Sequence, residues 1–118
     1  MDGGHPAPHW SYTIRESTDW RVIVLEGDID LAAADPLRDI FAAAAREVAA
    51  VEVDMSGVDF LDSTGIGVLV GGRNAALAHG SKFVVTRPSE PVSSVLEMSG
   101  VLHALTGDTE PPVSGSES

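Results

Sequence analysis

Asp54-Met55-Ser56-Gly57-Val58-Asp59-Phe60-Leu61-Asp62-Ser63-Thr64-Gly65-Ile66-Gly67-Val68-Leu69 is the stretch whose reading decides the fold. It enters from Val51-Glu52-Val53-Asp54-Met55, whose alternation and β-branched content predict a strand. Ser56 to Asp59 reads as a short loop leading to Phe60-Leu61. From Ser63 the pattern predicts a helix to about His79, with Asp62 as N-cap and Gly80 past its end. A strand that feeds a helix and is followed by another strand, Lys82 to Thr86, demands parallel neighbours.

Moving outward, the upstream segments supply the rest of the sheet. Ser11-Tyr12-Thr13-Ile14-Arg15 alternates as a half-exposed strand does, and Ser17-Thr18-Asp19 is a turn cluster. Trp20 to Leu25 is nearly continuous and apolar, which suits a strand buried on both faces. These two strands are close enough to pair as a hairpin. Gly27-Asp28-Ile29-Asp30 breaks the strand pattern. Leu37, Ile40, Phe41, Ala44, Ala45 and Val48 follow at helical spacing, with Asp35-Pro36 as a start signal and an earlier start near Ala32 as the alternative. Downstream, Arg87 to Pro91 reads as a loop. A third helix carries Val92, Val95, Leu96 and Met98, with Gly100 as its C′ residue, and Val101 to Leu105 reads as an edge strand. The order β-β-α-β-α-β-α-β predicts an α/β fold: a mixed sheet with an opening hairpin, parallel crossovers and helices packed on it.

The boundaries follow from composition. The chain has 118 residues, enough for one domain. Residues 1–9 and 107–118 are rich in Gly, Pro, Ser or acids and lack hydrophobic periodicity, so both are expected to be disordered around a domain at 10–106. With 43% hydrophobic residues the chain can build a core. Seven Lys and Arg against 18 Asp and Glu give a formal charge of −11. That balance disfavours nucleic acid and anionic membranes as partners. Absence of cysteine excludes thiolate chemistry and cysteine metal sites. His5 and His9 are separated by prolines, and no metal site or cofactor is expected. The longest apolar run, Val22 to Leu25, is far too short for a membrane span, and the first residues do not resemble a secretory signal. A soluble cytoplasmic protein is expected.

Chemistry points to Ser63. An N-cap at Asp62 puts this hydroxyl on the rim of a helix start, where backbone N–H groups gather. A phosphate there would add about −1.5 to −2 charge. Gly65, Gly67, Gly71 and Gly72 lie inside the helix, each at a cost of roughly 1 kcal/mol against alanine. Close backbone packing and close approach of a partner are both sufficient reasons. Gly71 and Gly72 are assigned to packing, and Gly65 at least partly to function. No catalytic residue is assigned. Gly-X-Ser-X-Gly is absent, His79 lies at the far end of the helix from Ser63, and there is neither a dinucleotide fingerprint nor a Walker lysine. Local spacing alone reads Asp62-Ser63 as a capped helix start and Asp28 and Asp30 as a polar turn.

Together, Gly27-Asp28-Ile29-Asp30, Asp62-Ser63-Thr64-Gly65-Ile66-Gly67 and Met98-Ser99-Gly100 resemble the STAS domain, named for sulfate transporters and anti-sigma factor antagonists. The resemblance spans roughly Ser11 to Leu105 and is nearest to the stand-alone bacterial antagonists. It implies a STAS-type sheet and a binding protein rather than an enzyme. Its partners would be an anti-sigma factor with serine kinase activity, bound when the antagonist is unphosphorylated so that a sigma factor is released, and a serine phosphatase. It also implies Ser63 as phosphoacceptor, Thr64 as the second candidate, and a partner surface of Asp28, Asp30, Asp62, Ser63, Thr64, Gly65 and Gly67. A monomer or weak homodimer is expected. Two features depart from the family pattern. Residues 107–118 cannot form the usual last helix: either that helix is absent, or the sheet edge is covered differently, with Trp10 and the N-terminal segment as the candidates. Ala33 stands where a hydroxyl often caps helix 1. The competing reading is a non-switching STAS scaffold in a larger signalling or transport complex; a nucleotide-binding protein is a third, weakened by the missing phosphate loop.

Overall fold

The computed structural model describes residues 9–107. Expectations for residues 1–8 and 108–118 lie outside the described residues. The elements are β1 (Trp10–Glu16), β2 (Trp20–Ile29), α1 (Leu31–Glu47), β3 (Ala50–Leu61), α2 (Ser63–Ala78), β4 (Lys82–Thr86), α3 (Glu90–Met98) and α4 (Leu102–Thr106). The four strands form one sheet in the order β1-β2-β3-β4. β1 and β2 are the antiparallel hairpin, and β2–β3 and β3–β4 are parallel. The mixed sheet with helices packed on it is therefore the predicted architecture.

Four local readings are corrected. The Gly27 region does not end β2, which runs on to Ile29 with register shifts between Val24 and Glu26 and between Gly27 and Asp28. Such bulges break strict alternation without ending the pairing. Gly27 has φ 91°, and a Cβ there would strike the His9 carbonyl, which accepts the Asp28 N–H at 2.8 Å. Likewise Ser56 to Asp59 is not a loop but part of the twelve-residue β3, which pairs with β2 as far as Ile29–Leu61.

The third correction concerns α1, where the start at Asp35-Pro36 gives way to the earlier alternative near Ala32. The helix starts at Leu31 with Asp30 as N-cap, whose carboxylate accepts the Ala32 N–H at 3.0 Å. Pro36 lies inside the helix, and Asp35 pairs with Arg38 on its surface at 2.7 Å. Ala33, where the family pattern would place a hydroxyl cap, is fully buried in the core. Finally, Val101 to Leu105 is not a strand. Leu102–Thr106 forms α4, because Val101, Leu102 and Leu105 fall on one helical face against the core, with Leu105 buried. α4 lies against β4, whereas Trp10 is half-buried at the opposite edge of the sheet and does not cover β4.

The core between sheet and helices is built from Ile23, Leu25, Leu37, Phe41, Val53, Met55, Leu69 and their neighbours. Phe41 of α1 and Phe83 of β4 meet edge to face, with ring centroids 5.3 Å apart. Gly72 of α2 lies against both rings: a Cβ there would come within 2.8 Å of Phe41 and 2.9 Å of Phe83. β4 stops at Thr86, opposite Asp54, so among the described residues the second half of β3 has no strand on that side. α3 lies against it instead. The Ser89 N–H donates to the Met55 carbonyl at 3.3 Å and its Oγ donates to the Val58 carbonyl at 2.5 Å. Ser89 also caps α3, accepting the Val92 N–H.

Candidate functional site

Two helices begin side by side at the carboxyl ends of β2 and β3. The last paired residues are Ile29 and Leu61, and the Asp62 N–H donates to the Ile29 carbonyl at 3.4 Å. One residue further on in each chain segment stands an aspartate cap, Asp30 for α1 and Asp62 for α2. Next come the first helical residues, Leu31 and Ser63. Ser63 is therefore placed as the sequence predicts: exposed, at the first position of a helix whose cap accepts the Gly65 N–H at 2.9 Å. Thr64 is half-buried behind it.

The structure brings Asp28, Asp30 and Asp62 to this same rim. Asp28 pairs in register with Phe60, one step before the Ile29–Leu61 pair. All three acids are half-buried. Beyond the two caps, neither helix has an acidic residue in its first turn. The Ser63 hydroxyl thus stands on a rim that also bears three carboxylates. A phosphoryl group on Ser63 would find the free N–H groups of the helix start, but it would also concentrate like charge.

The four helix glycines divide differently from the sequence assignment. Gly65 has a packing reason, because a Cβ there would lie 2.5 Å from Leu61 Cδ1 and 2.8 Å from the Ile29 carbonyl oxygen. Gly72 has one too, as expected. Gly71, assigned to packing, faces open space, and so does Gly67. The close fit of Gly65 is what lets the start of α2 sit directly on the end of β2.

Sequence reading missed two features. One is a pair of exposed apolar side chains on the rim, Leu31 at 74% exposure and Phe60 at 48%. The other is a latch behind the rim. Asp54, only 4% exposed, accepts the Ser56 N–H at 2.9 Å, the Ser56 hydroxyl at 2.8 Å, and Arg87 through Nε at 3.1 Å and Nη2 at 2.7 Å. Burial alone would push its carboxyl up, but the bonds from Ser56 and Arg87 outweigh burial and hold it below the usual carboxylate range. Arg87 adopts φ 48°, a left-handed conformation uncommon outside glycine. The latch ties the β4–α3 loop to the part of β3 that leads to Ser63.

Among the described residues no cluster of metal-ligating side chains occurs and no helix is long and apolar enough to cross a membrane. The larger groove, of 590 Å³, is lined by Trp20, Glu52, Arg73, Leu77, Lys82 and Thr106 among others, and a smaller one of 220 Å³ runs past Gly67 and Gly71 between α1 and α2. Ser63 lines neither.

Comparison with known proteins places this geometry. No curated protein matches the sequence. Among solved structures, the chain is similar to the anti-sigma factor antagonist SpoIIAA in its unphosphorylated form, at 23% identity and a TM-score of 0.72 over 81% of this chain and 85% of that one. The phosphorylated form of the Bacillus protein gives 22% and 0.67 over 81% and 88%. An anti-sigma factor antagonist from Mycobacterium paratuberculosis gives 20% and 0.68 over 84% and 86%. The murine anion transporter Slc26a9 contains the same fold, at 18% and 0.65, over 80% of this chain but 16% of its own. These likenesses establish the fold. Residues 13–107 match the family model described as Mlab, STAS domain, and the chain belongs to that family of STAS domains.

Proposed function

We propose that this STAS domain is an anti-sigma factor antagonist switched at Ser63. In the unphosphorylated state it binds an anti-sigma factor that is also a serine kinase, and a sigma factor is released. The kinase moves the γ-phosphoryl group of ATP to Ser63 Oγ: the O–P bond forms, ADP leaves and the hydroxyl proton goes to a base of the kinase. The product no longer fits the interface, and a serine phosphatase restores the hydroxyl. On this reading the chain has no catalytic role, acts in the cytoplasm as a monomer or weak homodimer, and never touches DNA. Asp28, Asp30, Asp62, Ser63, Thr64, Gly65 and Gly67 form the partner surface.

The observation that carries the reading is the exposed hydroxyl of Ser63 on a rigid capped turn, with Asp28, Asp30 and Asp62 on the same rim. Added negative charge at that point disfavours a contact made for a neutral serine, by repulsion and by desolvation of the phosphate. The helix start tolerates a phosphate, so no unfolding is needed. The test is affinity capture with wild type, Ser63→Ala and Ser63→Asp, followed by mass spectrometry of wild type incubated with the captured kinase and ATP. Ser63→Ala should retain the partner, Ser63→Asp should lose it, and the added phosphate should map to Ser63. Modification elsewhere, or none, overturns the reading.

A second reading is a STAS subunit without a switch in a larger signalling or transport complex. It is favoured by the occurrence of the same fold as a small part of Slc26a9. A large, stable assembly on size-exclusion chromatography that is indifferent to Ser63→Asp would support it over the first.

A further inference from the structure

The amino ends of the parallel strands lie at the far end of the sheet from Ser63, and they hold the larger groove. Trp20, Ala50 and Lys82 stand in one register row across β2, β3 and β4. Side chains in such a row point to the same face, so the small Ala50 makes a floor between Trp20 and Lys82, which are two strand spacings or roughly 10 Å apart. α2 adds Arg73 and Leu77, one helical turn apart, and the groove has a volume of 590 Å³. Small-molecule sites usually measure about 300–1,000 Å³. Trp20 and Leu77 are large apolar side chains left exposed at this groove.

The fold makes no use of the positive charge there. Of the chain's seven cations, Arg21, Arg38 and Arg87 make ion pairs, and Arg15, Arg46 and Lys82 are exposed. Among the described residues Arg73 is the one half-buried cation with neither an ion pair nor a side-chain hydrogen bond. Its neighbours three and four residues away on α2 are Leu69, Val70, Ala76 and Leu77, so the helix offers it no acid. A partly desolvated guanidinium without an acceptor is unfavourable until an anion completes it. Lys82 has no ion pair either. Glu52 also lines the groove, but its carboxylate accepts the Thr86 hydroxyl at 2.8 Å, on the side of Val84 away from Lys82. Arg73, Lys82 and Glu52 together leave one positive charge to balance. We propose that the groove binds a small apolar carboxylate, its charged head on Arg73 and Lys82 and its tail between Trp20 and Leu77. Guanidinium and carboxylate match as a two-pronged pair. The single surplus charge sets the class, because Glu52 would repel a polyphosphate and a bare inorganic ion would leave Trp20 and Leu77 uncovered. This site and the Ser63 switch stand or fall separately.

Octanoate is the probe, titrated into the isotope-labelled full chain and followed by amide chemical shifts. Saturable shifts are expected at Trp20, Arg73, Leu77 and Lys82, with a Kd below about 1 mM, and none at Ser63. Octanol keeps the tail without the charge and acetate keeps the charge without the tail; each should bind at least tenfold more weakly. Arg73→Gln and Lys82→Gln should each weaken octanoate binding at least fivefold, whereas Arg46→Gln, which removes an exposed cation of α1, should stay within twofold of wild type. Lys82 is exposed, so Lys82→Gln carries the test should Arg73→Gln fail to fold. The site is overturned by the absence of saturable shifts at the groove, by octanol binding as tightly as octanoate, or by Arg46→Gln losing as much as the groove variants. Groove shifts with ATP but none with octanoate would overturn the ligand class and the proposal with it.

Discussion

At the carboxyl ends of β2 and β3 one rim carries Asp28, Asp30, Asp62 and the exposed Ser63, and Ser63 lines neither groove. At the amino ends of the parallel strands, where Trp20, Ala50 and Lys82 stand in register, a groove of 590 Å³ holds Trp20, Leu77 and the two cations Arg73 and Lys82. Among the described residues neither cation has an ion pair. Roughly 30 Å of strand separates the two ends. A small-molecule ligand would favour the second end, since small-molecule sites are usually concave. The chemistry chooses the first. Surfaces that receive a folded partner need exposed, rigidly held groups rather than a cavity, and the paired helix starts supply them.

The contrast can be broken most directly by charge. Ser63→Asp should reduce affinity for the kinase at least 100-fold, about 2.7 kcal/mol, whereas the double variant Arg73→Ala/Lys82→Ala should leave it within twofold. Equal losses from both ends, measured by calorimetry, would erase the distinction. Next is the support behind the rim. Asp54→Ala strips Ser56 and Arg87 of their acceptor, and a loss of about 2 kcal/mol is expected in urea unfolding. Asp54→Asn sharpens this by pH. Because the folded carboxyl titrates below its ordinary value near 4, its stabilising effect is complete above that value and fades as pH falls through the folded one. The stability gap between wild type and Asp54→Asn should therefore be constant at neutral pH and shrink in acid.

Glycines provide the smaller effects. Gly65→Ala pushes a methyl into Leu61 and the Ile29 carbonyl, and a destabilisation of about 1–2 kcal/mol is expected. Gly71→Ala meets nothing within 4 Å and should stabilise the chain by up to about 1 kcal/mol. Thermal melts of the two variants should move in opposite directions.

The hairpin, the parallel crossovers and the Asp62 cap of α2 were legible in the sequence because each rests on local pattern: alternation, helical spacing and a capping residue before a helix. What was hidden depends on neighbours. Met55, Val58 and Leu61 are buried at a spacing of three, which obscured a strand whose pairing with β2 is shifted by bulges. Asp30 was read as a turn acid because Asp35-Pro36 offered a more familiar start signal. The short segment after Gly100 is apolar enough for either state, and its contact with the core decided for a helix. The separate duties of the four α2 glycines could not be read at all, since each depends on what stands opposite. Exposure of Leu31 and Phe60 is likewise set by what fails to cover them.

Ser63 lies inside the turn that Asp62 and the Gly65 N–H close between them. An enzyme acting on it must accept the serine as part of a folded corner rather than as a point on an extended strand. The signal is therefore addressed to a shape. A peptide carrying the same letters from Asp54 to Leu69 lacks the second helix start, the β2 terminus and the acids at Asp28 and Asp30, so it carries the word without its context. On the proposed switch, only a chain that has finished folding would present itself for modification, and the switch would double as a certificate of the native state.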